Sequence, residues 1–235
     1  MVLWIARALR VSADVLEATR ARHYIHKAPD DLSGSVEFIM NFRYGHIHPI
    51  PYQIPSEVLA LLERVADLKP RTVVELGTAG GGTLFLFTRA AADNATLISV
   101  DLEGGPFGGG YPAATRPFIK SFARQSQTIH LVRGDSRAPT TLAAVKRALG
   151  GRAIDFLFID GGHDLDVVQS DFETYFPLVA AGGLIALHDI VPGDRAAVGD
   201  VPQYWARLRD SADHEEIVDS WQQGGYGIGL IRKAG

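Results

Sequence analysis

The chain has 235 residues, 46% hydrophobic and 21% charged, with a formal net charge of −4 and no cysteine. That length suits one large α/β domain, or one domain with a small appendage, and its core buries roughly 70% of the unfolded-chain surface without staples. The acidic balance argues against a nucleic-acid binder. The missing cysteines exclude disulfides, zinc–thiolate and iron–sulfur sites and a cysteine nucleophile. No apolar run reaches the length of a membrane span, and a cytoplasmic setting is the expectation.

Residues 1–70 are expected to form an N-terminal helical cap within the same domain. They look helical at both ends, around 3–27 and 56–67. The opening MVLWIARALRVSADVLEATRAR is amphipathic and mildly basic, and lacks the apolar core and cleavage site of a signal peptide. It predicts a packing or dimerising helix, and so a homodimer. The middle, NFRYGHIHPIPYQIP, is irregular and stiffened by Pro49, Pro51 and Pro55. His46 and His48 are taken as packing residues there, and Ser56 as a helix N-cap.

Residues 71–235 read as a ligand-binding α/β domain. Strand candidates are 72–77, 96–101, 128–134, 154–160, 183–189, 215–220 and 226–232. The first five are near-continuous apolar runs, as in strands buried on both faces of a parallel sheet. Helical patterns at 82–92, 113–125, 138–149, 165–179 and 198–210 separate them. The alternation predicts a doubly wound, mostly parallel seven-stranded α/β sheet with right-handed crossovers. The last two strands are joined by WQQGG alone, too short for a helical crossover, so the sheet should end in an antiparallel hairpin. EGGPFGGGYP (103–112) is a long glycine-rich loop after the second strand.

The first βα turn, VVELGTAGGGTLFLF, sets Gly77, Gly80, Gly81 and Gly82 between a buried strand and an apolar helix. Ligands of open α/β sheets bind at such carboxyl ends, where glycines admit close backbone approach. A dinucleotide fingerprint needs glycine at 79, and Ala79 stands there. Asp101 ends the second strand, where a carboxylate can accept from both hydroxyls of a ribose. RGDS ends the third strand at Asp135 and Ser136. FLFIDGGHD ends the fourth at Asp160, with His163 three residues on. GGLIALHD ends the fifth at His188 and Asp189.

These motifs, in this order, resemble the class I S-adenosylmethionine-dependent methyltransferases. They look most like the bacterial group of macrocin-type O-methyltransferases and cephalosporin-hydroxylase-like proteins. The resemblance covers about residues 53–232. It implies a Rossmann-like sheet and an S-adenosylmethionine site made by Glu75, Gly77, Thr78, Gly81, Asp101, Asp135, Ser136 and Asp160. It also implies O-methylation of a small-molecule acceptor, such as a sugar or phenol of a secondary metabolite. Asp160 and Asp189 match the pattern by which catechol-type relatives hold Mg²⁺. His188 joins the metal candidates but breaks that pattern, because imidazole favours Mn²⁺, Fe²⁺ or Zn²⁺. His163, with Asp160 as its catalytic companion, is the candidate base, since imidazole exchanges protons near neutral pH. Two other classes stay open: a metal-dependent, hydroxylase-like oxidoreductase built on His163, His188 and a carboxylate, and a non-catalytic nucleoside-binding subunit.

Overall fold

The structure, a computed structural model, describes residues 15–104, 109–124 and 126–235. Residues 3–14 of the expected first helix, 105–108 of the glycine-rich loop and residue 125 lie outside the described residues, and the helix expected over 113–125 is limited to Arg116–Lys120. One sheet of seven strands holds the chain together: β1 Thr72–Leu76, β2 Thr96–Asp101, β3 Thr128–Arg133, β4 Ile154–Ile159, β5 Val179–His188, β6 His214–Ile217 and β7 Ile228–Arg232. Their order is β3-β2-β1-β4-β5-β7-β6. β1 pairs in parallel with β2 and β4, β2 with β3, and β4 with β5, while β7 runs antiparallel to β5 and β6. The hairpin expected from WQQGG is therefore present, with β7 inserted between β5 and β6.

Strand side chains alternate between faces, and here both faces are covered. Val73, Leu97, Phe156 and Phe158 point into one core layer, Val74, Ile98, Leu157 and Ile159 into the other. This is why the strands look apolar throughout instead of alternating. The first layer also takes Ala18, Ile25, Ile39, Val58 and Leu61 from the cap, so cap and sheet share one core.

The cap contains α1 (residues 15–25), α2 Leu32–Asn41 and α3 Pro55–Leu68. The sheet's helices are α4 Gly82–Ala90, α5 Arg116–Lys120, α6 Pro139–Leu149, α7 Leu165–Tyr175, α8 Arg195–Val198 and α9 Val201–Arg209. α2 was not expected from its sequence, LSGSVEFIMN. Asp31 caps it by accepting from Gly34 N–H at 2.7 Å, and Val36 and Ile39 are buried. Cap and burial together outweigh the poor helix propensity of Ser33, Gly34 and Ser35. The helix expected over 198–210 divides at Gly199, whose φ of 55° and ψ of −130° suit only glycine. Glu57, in the first turn of α3 and 1% exposed, ties cap to hairpin. It accepts from Asp219 N–H (3.0 Å), Gln223 Nε2 (2.7 Å) and Gly227 N–H (3.0 Å). Among the described residues, no helix is long and apolar enough to cross a membrane.

Candidate active site

Strand order reverses beside β1 and β4, and open α/β sheets bind ligands in the crevice at such a point. A cavity of about 770 Å³ opens there. Gly77, Thr78 and Ala79 of the glycine turn line one end, with Asp101, Asp135 and Ser136 on the wall. Asp160, His163, His188 and Asp189 line the other end.

The turn's glycines have separate reasons. Gly77 has φ 85°, and a Cβ there would lie 1.9 Å from the Asp160 carbonyl oxygen. The ends of β1 and β4 touch, and Asp160 N–H donates to Leu76 O at 2.8 Å. A Cβ at Gly82 would lie 2.4 Å from the Pro49 carbonyl oxygen and from the Pro51 nitrogen. That glycine admits the chain's own 49–51 strap. Gly81 is the N-cap of α4, backed by Phe122, and it does not line the cavity. Ala79 takes a left-handed φ of 46° where the dinucleotide fingerprint would carry glycine.

Glu75 lies behind the wall, fully buried. It accepts from the hydroxyls of Thr78 (2.7 Å) and Thr83, and both threonines line the cavity. Burial pushes its pKa up to about 8 against the pull of those hydroxyls. Thr78 continues the chain to Ser99, whose hydroxyl is 2.7 Å from Tyr111 Oη. Glu75 therefore reaches a ligand only through its threonines. Asp101 does face the cavity, and its Oδ2 accepts from the N–H groups of Thr78 (3.2 Å) and Ala79 (2.6 Å). Burial raises it to about 6 against those N–H groups.

On the wall after β3, Asp135 pairs with Arg137 at 2.9 Å, which holds its carboxyl below the usual range. Ser136 is supported from behind by α7, where Tyr175 Oη donates to its carbonyl at 3.1 Å. Asp171, one turn earlier on α7, is 1% exposed and lies beside the Ser136 hydroxyl.

The register Ile159↔Leu187 sets Asp160 beside His188. His188 Nδ1 lies 3.0 Å from Asp160 Oδ1 and 3.3 Å from Asp189 Oδ2. Burial lowers the pKa of His188, but Asp160 and Asp189 overcome that and raise it to about 10. Burial also works against Asp189, yet His188 and His163 hold it below the usual range. His163 Nε2 approaches the same Asp189 Oδ2 at 3.3 Å. The remaining carboxylate oxygens are engaged too. Gln53 Nε2 donates to Asp160 Oδ2 at 2.7 Å, and Tyr226 N–H donates to Asp189 Oδ1 at 3.1 Å. Asp189 bends here with φ 65°.

His188 thus hydrogen-bonds Asp160 through Nδ1 and lies 3.3 Å from Asp189 with the same nitrogen, which is not the direction of the metal ligand expected of it. One donor atom each from Asp160, His163 and Asp189 come within 4.8 Å of one another. Two oxygens and an imidazole nitrogen do not fit the hard, all-oxygen preference of Mg²⁺. The two-histidine, one-carboxylate iron set of the oxidoreductase reading is not assembled either. Nδ1 of His188 faces carboxylates, and its Nε2 is buried without a partner.

Several site roles went unread in the sequence. Gln53 is the first, read only as a candidate cofactor contact alongside Tyr52 and not as the donor to Asp160. The 195–199 segment, which also lines the cavity, is the second. Asp200 N–H donates to the His163 carbonyl at 2.8 Å, and a Cβ on Gly199 would lie 2.3 Å from that same oxygen. His46 and His48 are exposed and stay outside the cavity lining.

The sheet order and the cavity at its switch point define a class I methyltransferase fold. Solved structures agree across most of their length. An O-methyltransferase from Bacillus cereus, solved with S-adenosylhomocysteine, superimposes with a TM-score of 0.63 at 15% identity, covering 88% of this chain and 93% of that one. An O-methyltransferase from Streptomyces achromogenes involved in tomaymycin synthesis, solved with S-adenosylmethionine, gives 0.58 at 18% identity, covering 88% and 91%. A protein of Sinorhizobium fredii is 30% identical over 148 residues, or 61% of this chain, and the match spans 16% of that protein's length. Residues 74–190, about half of the chain, match the methyltransferase-domain family model. Residues 74–190 are a methyltransferase domain, carried on the class I methyltransferase fold.

Proposed function

We propose that this protein transfers the methyl group of S-adenosylmethionine to a hydroxyl of a small molecule, a sugar or phenol of secondary metabolism. The observation that carries the reading is one cavity shared by the glycine turn and the Asp160–His163–Asp189 cluster, joined where Gly77 meets the Asp160 carbonyl. The Gly77–Ala79 backbone, Asp101, Asp135 and Ser136 would hold the cofactor, with Asp101 suited to the ribose hydroxyls and Asp135 to the adenine amine. Glu75 acts behind them by fixing Thr78 and Thr83. When bound, the cofactor supplies a sulfonium methyl that passes to the acceptor oxygen as the carbon–sulfur bond breaks and S-adenosylhomocysteine leaves.

The chain's own task is to align the acceptor and remove its proton. Asp189 Oδ2 is the partner that favours hydrogen on His163 Nε2, which leaves Nδ1 free to accept the hydroxyl proton. The Gly199–Asp200 backbone holds that histidine from the other side. The domain that does this is 71–235, with 1–70 as its cap. Calorimetry with S-adenosylmethionine, S-adenosylhomocysteine and NAD tests the reading. Binding of both adenosyl ligands and not of NAD is expected, and failure to bind either adenosyl ligand refutes it.

A further inference from the structure

We propose that the centre between β4 and β5 works without a divalent ion, because His188 puts an N–H group between Asp160 and Asp189, in the place a shared ion would take. The inference rests on reading the site as a methyl-transfer centre.

Asp160 and Asp189 are the two carboxylates at adjoining strand ends, the pair an ion at this edge would bridge. His188 Nδ1 faces an oxygen of each, at 3.0 and 3.3 Å. A ring nitrogen between two carboxylate oxygens carries a hydrogen, since neither oxygen brings one when ionised. An N–H cannot be a ligand, and a cation touching both oxygens would have to displace it. The ring has little freedom to yield. It is buried, with Phe158 at 6.5 Å and Tyr226 at 6.1 Å between centroids.

The other two oxygens are also satisfied by this chain's own donors, Gln53 Nε2 and Tyr226 N–H. Three of the four oxygens therefore accept N–H groups, and the fourth, Asp189 Oδ2, lies 3.3 Å from both His188 Nδ1 and His163 Nε2, so the chain itself offsets the pair's burial. This changes what the acceptor must offer. Here only one hydroxyl has to reach His163.

The test needs no acceptor. Chelator-treated full-length protein, with and without S-adenosylhomocysteine, is titrated with Mn²⁺ and separately with Zn²⁺. Mn²⁺ is followed by electron paramagnetic resonance, and Zn²⁺ by the side-chain ¹⁵N–¹H imidazole signals. The wild type is expected to show no saturable Mn²⁺ binding up to millimolar concentration and to keep the His188 Nδ1–H signal in Zn²⁺. His188→Asp, which replaces the donor by oxygens, is expected to gain saturable Mn²⁺ binding. His188→Asn, which keeps an N–H donor, is expected to fold and stay ion-free. Stoichiometric ion binding by the wild type, with loss of the His188 signal, overturns the proposal. So does a folded His188→Asp variant that still binds no Mn²⁺. Calorimetry with S-adenosylhomocysteine on the same samples reports separately on the methyl-transfer reading, so the two can fail independently.

Discussion

Replacing Asp171 by asparagine should stabilise this protein, and the structure gives the size. The carboxyl is 1% exposed, and neither oxygen has an aligned hydrogen-bond partner. Burial lifts its pKa from 3.8 to about 6, with the neighbouring Ser136 hydroxyl opposing. The folded chain therefore keeps a proton that the unfolded chain has already lost. Stability falls as pH rises from about 4 through about 6, and the loss stays constant above that. Two pH units correspond to ~3 kcal/mol at 1.36 kcal/mol each, and local relaxation lowers this to ~1–3 kcal/mol. Asparagine keeps the shape and removes the charge. For a chain of this size that is a rise in Tm of about 3–9 °C at pH near 8. Scanning calorimetry between about pH 4 and 8 checks it, and the two proteins should converge at the acid end. An Asp171→Asn protein that melts below wild type near pH 8 would refute the reasoning, because the carboxylate would then be satisfied by donors that asparagine loses.

Gly77→Ala should cost ~2–4 kcal/mol and abolish S-adenosylhomocysteine binding, since its Cβ meets the Asp160 carbonyl at 1.9 Å with φ at 85°. Denaturant titration and calorimetry together measure both effects. His163→Asn should leave cofactor affinity within about twofold and lower turnover by ~10²–10⁴. A loss confined to cofactor binding would remove His163 from the chemistry. Asp101 has its pKa raised to about 6, and in the proposed cofactor site the ribose hydroxyls would donate to its ionised form. Cofactor affinity should thus be flat near pH 8 and fall as pH drops through about 6, whereas Asp101→Asn should bind weakly at every pH.

The sheet was legible because burial on both faces leaves its mark in each strand separately. Phe156–Ile159 could be apolar throughout only if both alternate sets were covered. The strand-end carboxylates followed, since a parallel sheet sends all those ends to one edge. What one stretch could not show was the partner of each side chain. Glu75 looks like a ligand contact beside Gly77, but the hydroxyls that enclose it come from Thr78 and Thr83, and the second of these belongs to the next helix. His188 joined the metal candidates by standing beside Asp189 at a strand end, although imidazole broke the Mg²⁺ pattern. Its direction was set by Asp160 on the neighbouring strand. Gly80 and Gly82 show a second demand on the same turn, and Gly82 also lines the cavity. They fit a ligand-approach motif, but the backbone that approaches them is the strap at 48–51.

The same contacts explain why the two ends of the cavity cannot vary separately. Gly77 is pinned against the Asp160 carbonyl, so any shift of the glycine turn moves the strand end that holds Asp160. Asp160 is then held from three sides: by Leu76 through its amide, by His188 through Oδ1 and by Gln53 through Oδ2. Gln53 is set just before α3, and Glu57, one turn on, grips the hairpin whose Tyr226 amide fixes Asp189. The cap therefore does more than cover the sheet. Its Gln53 donates to Asp160, and its Glu57 accepts from the hairpin whose Tyr226 amide donates to Asp189. A centre braced in this way gains nothing from an ion that would have to break the brace, and the histidine at the end of β5 follows from the same geometry as the glycine at the end of β1.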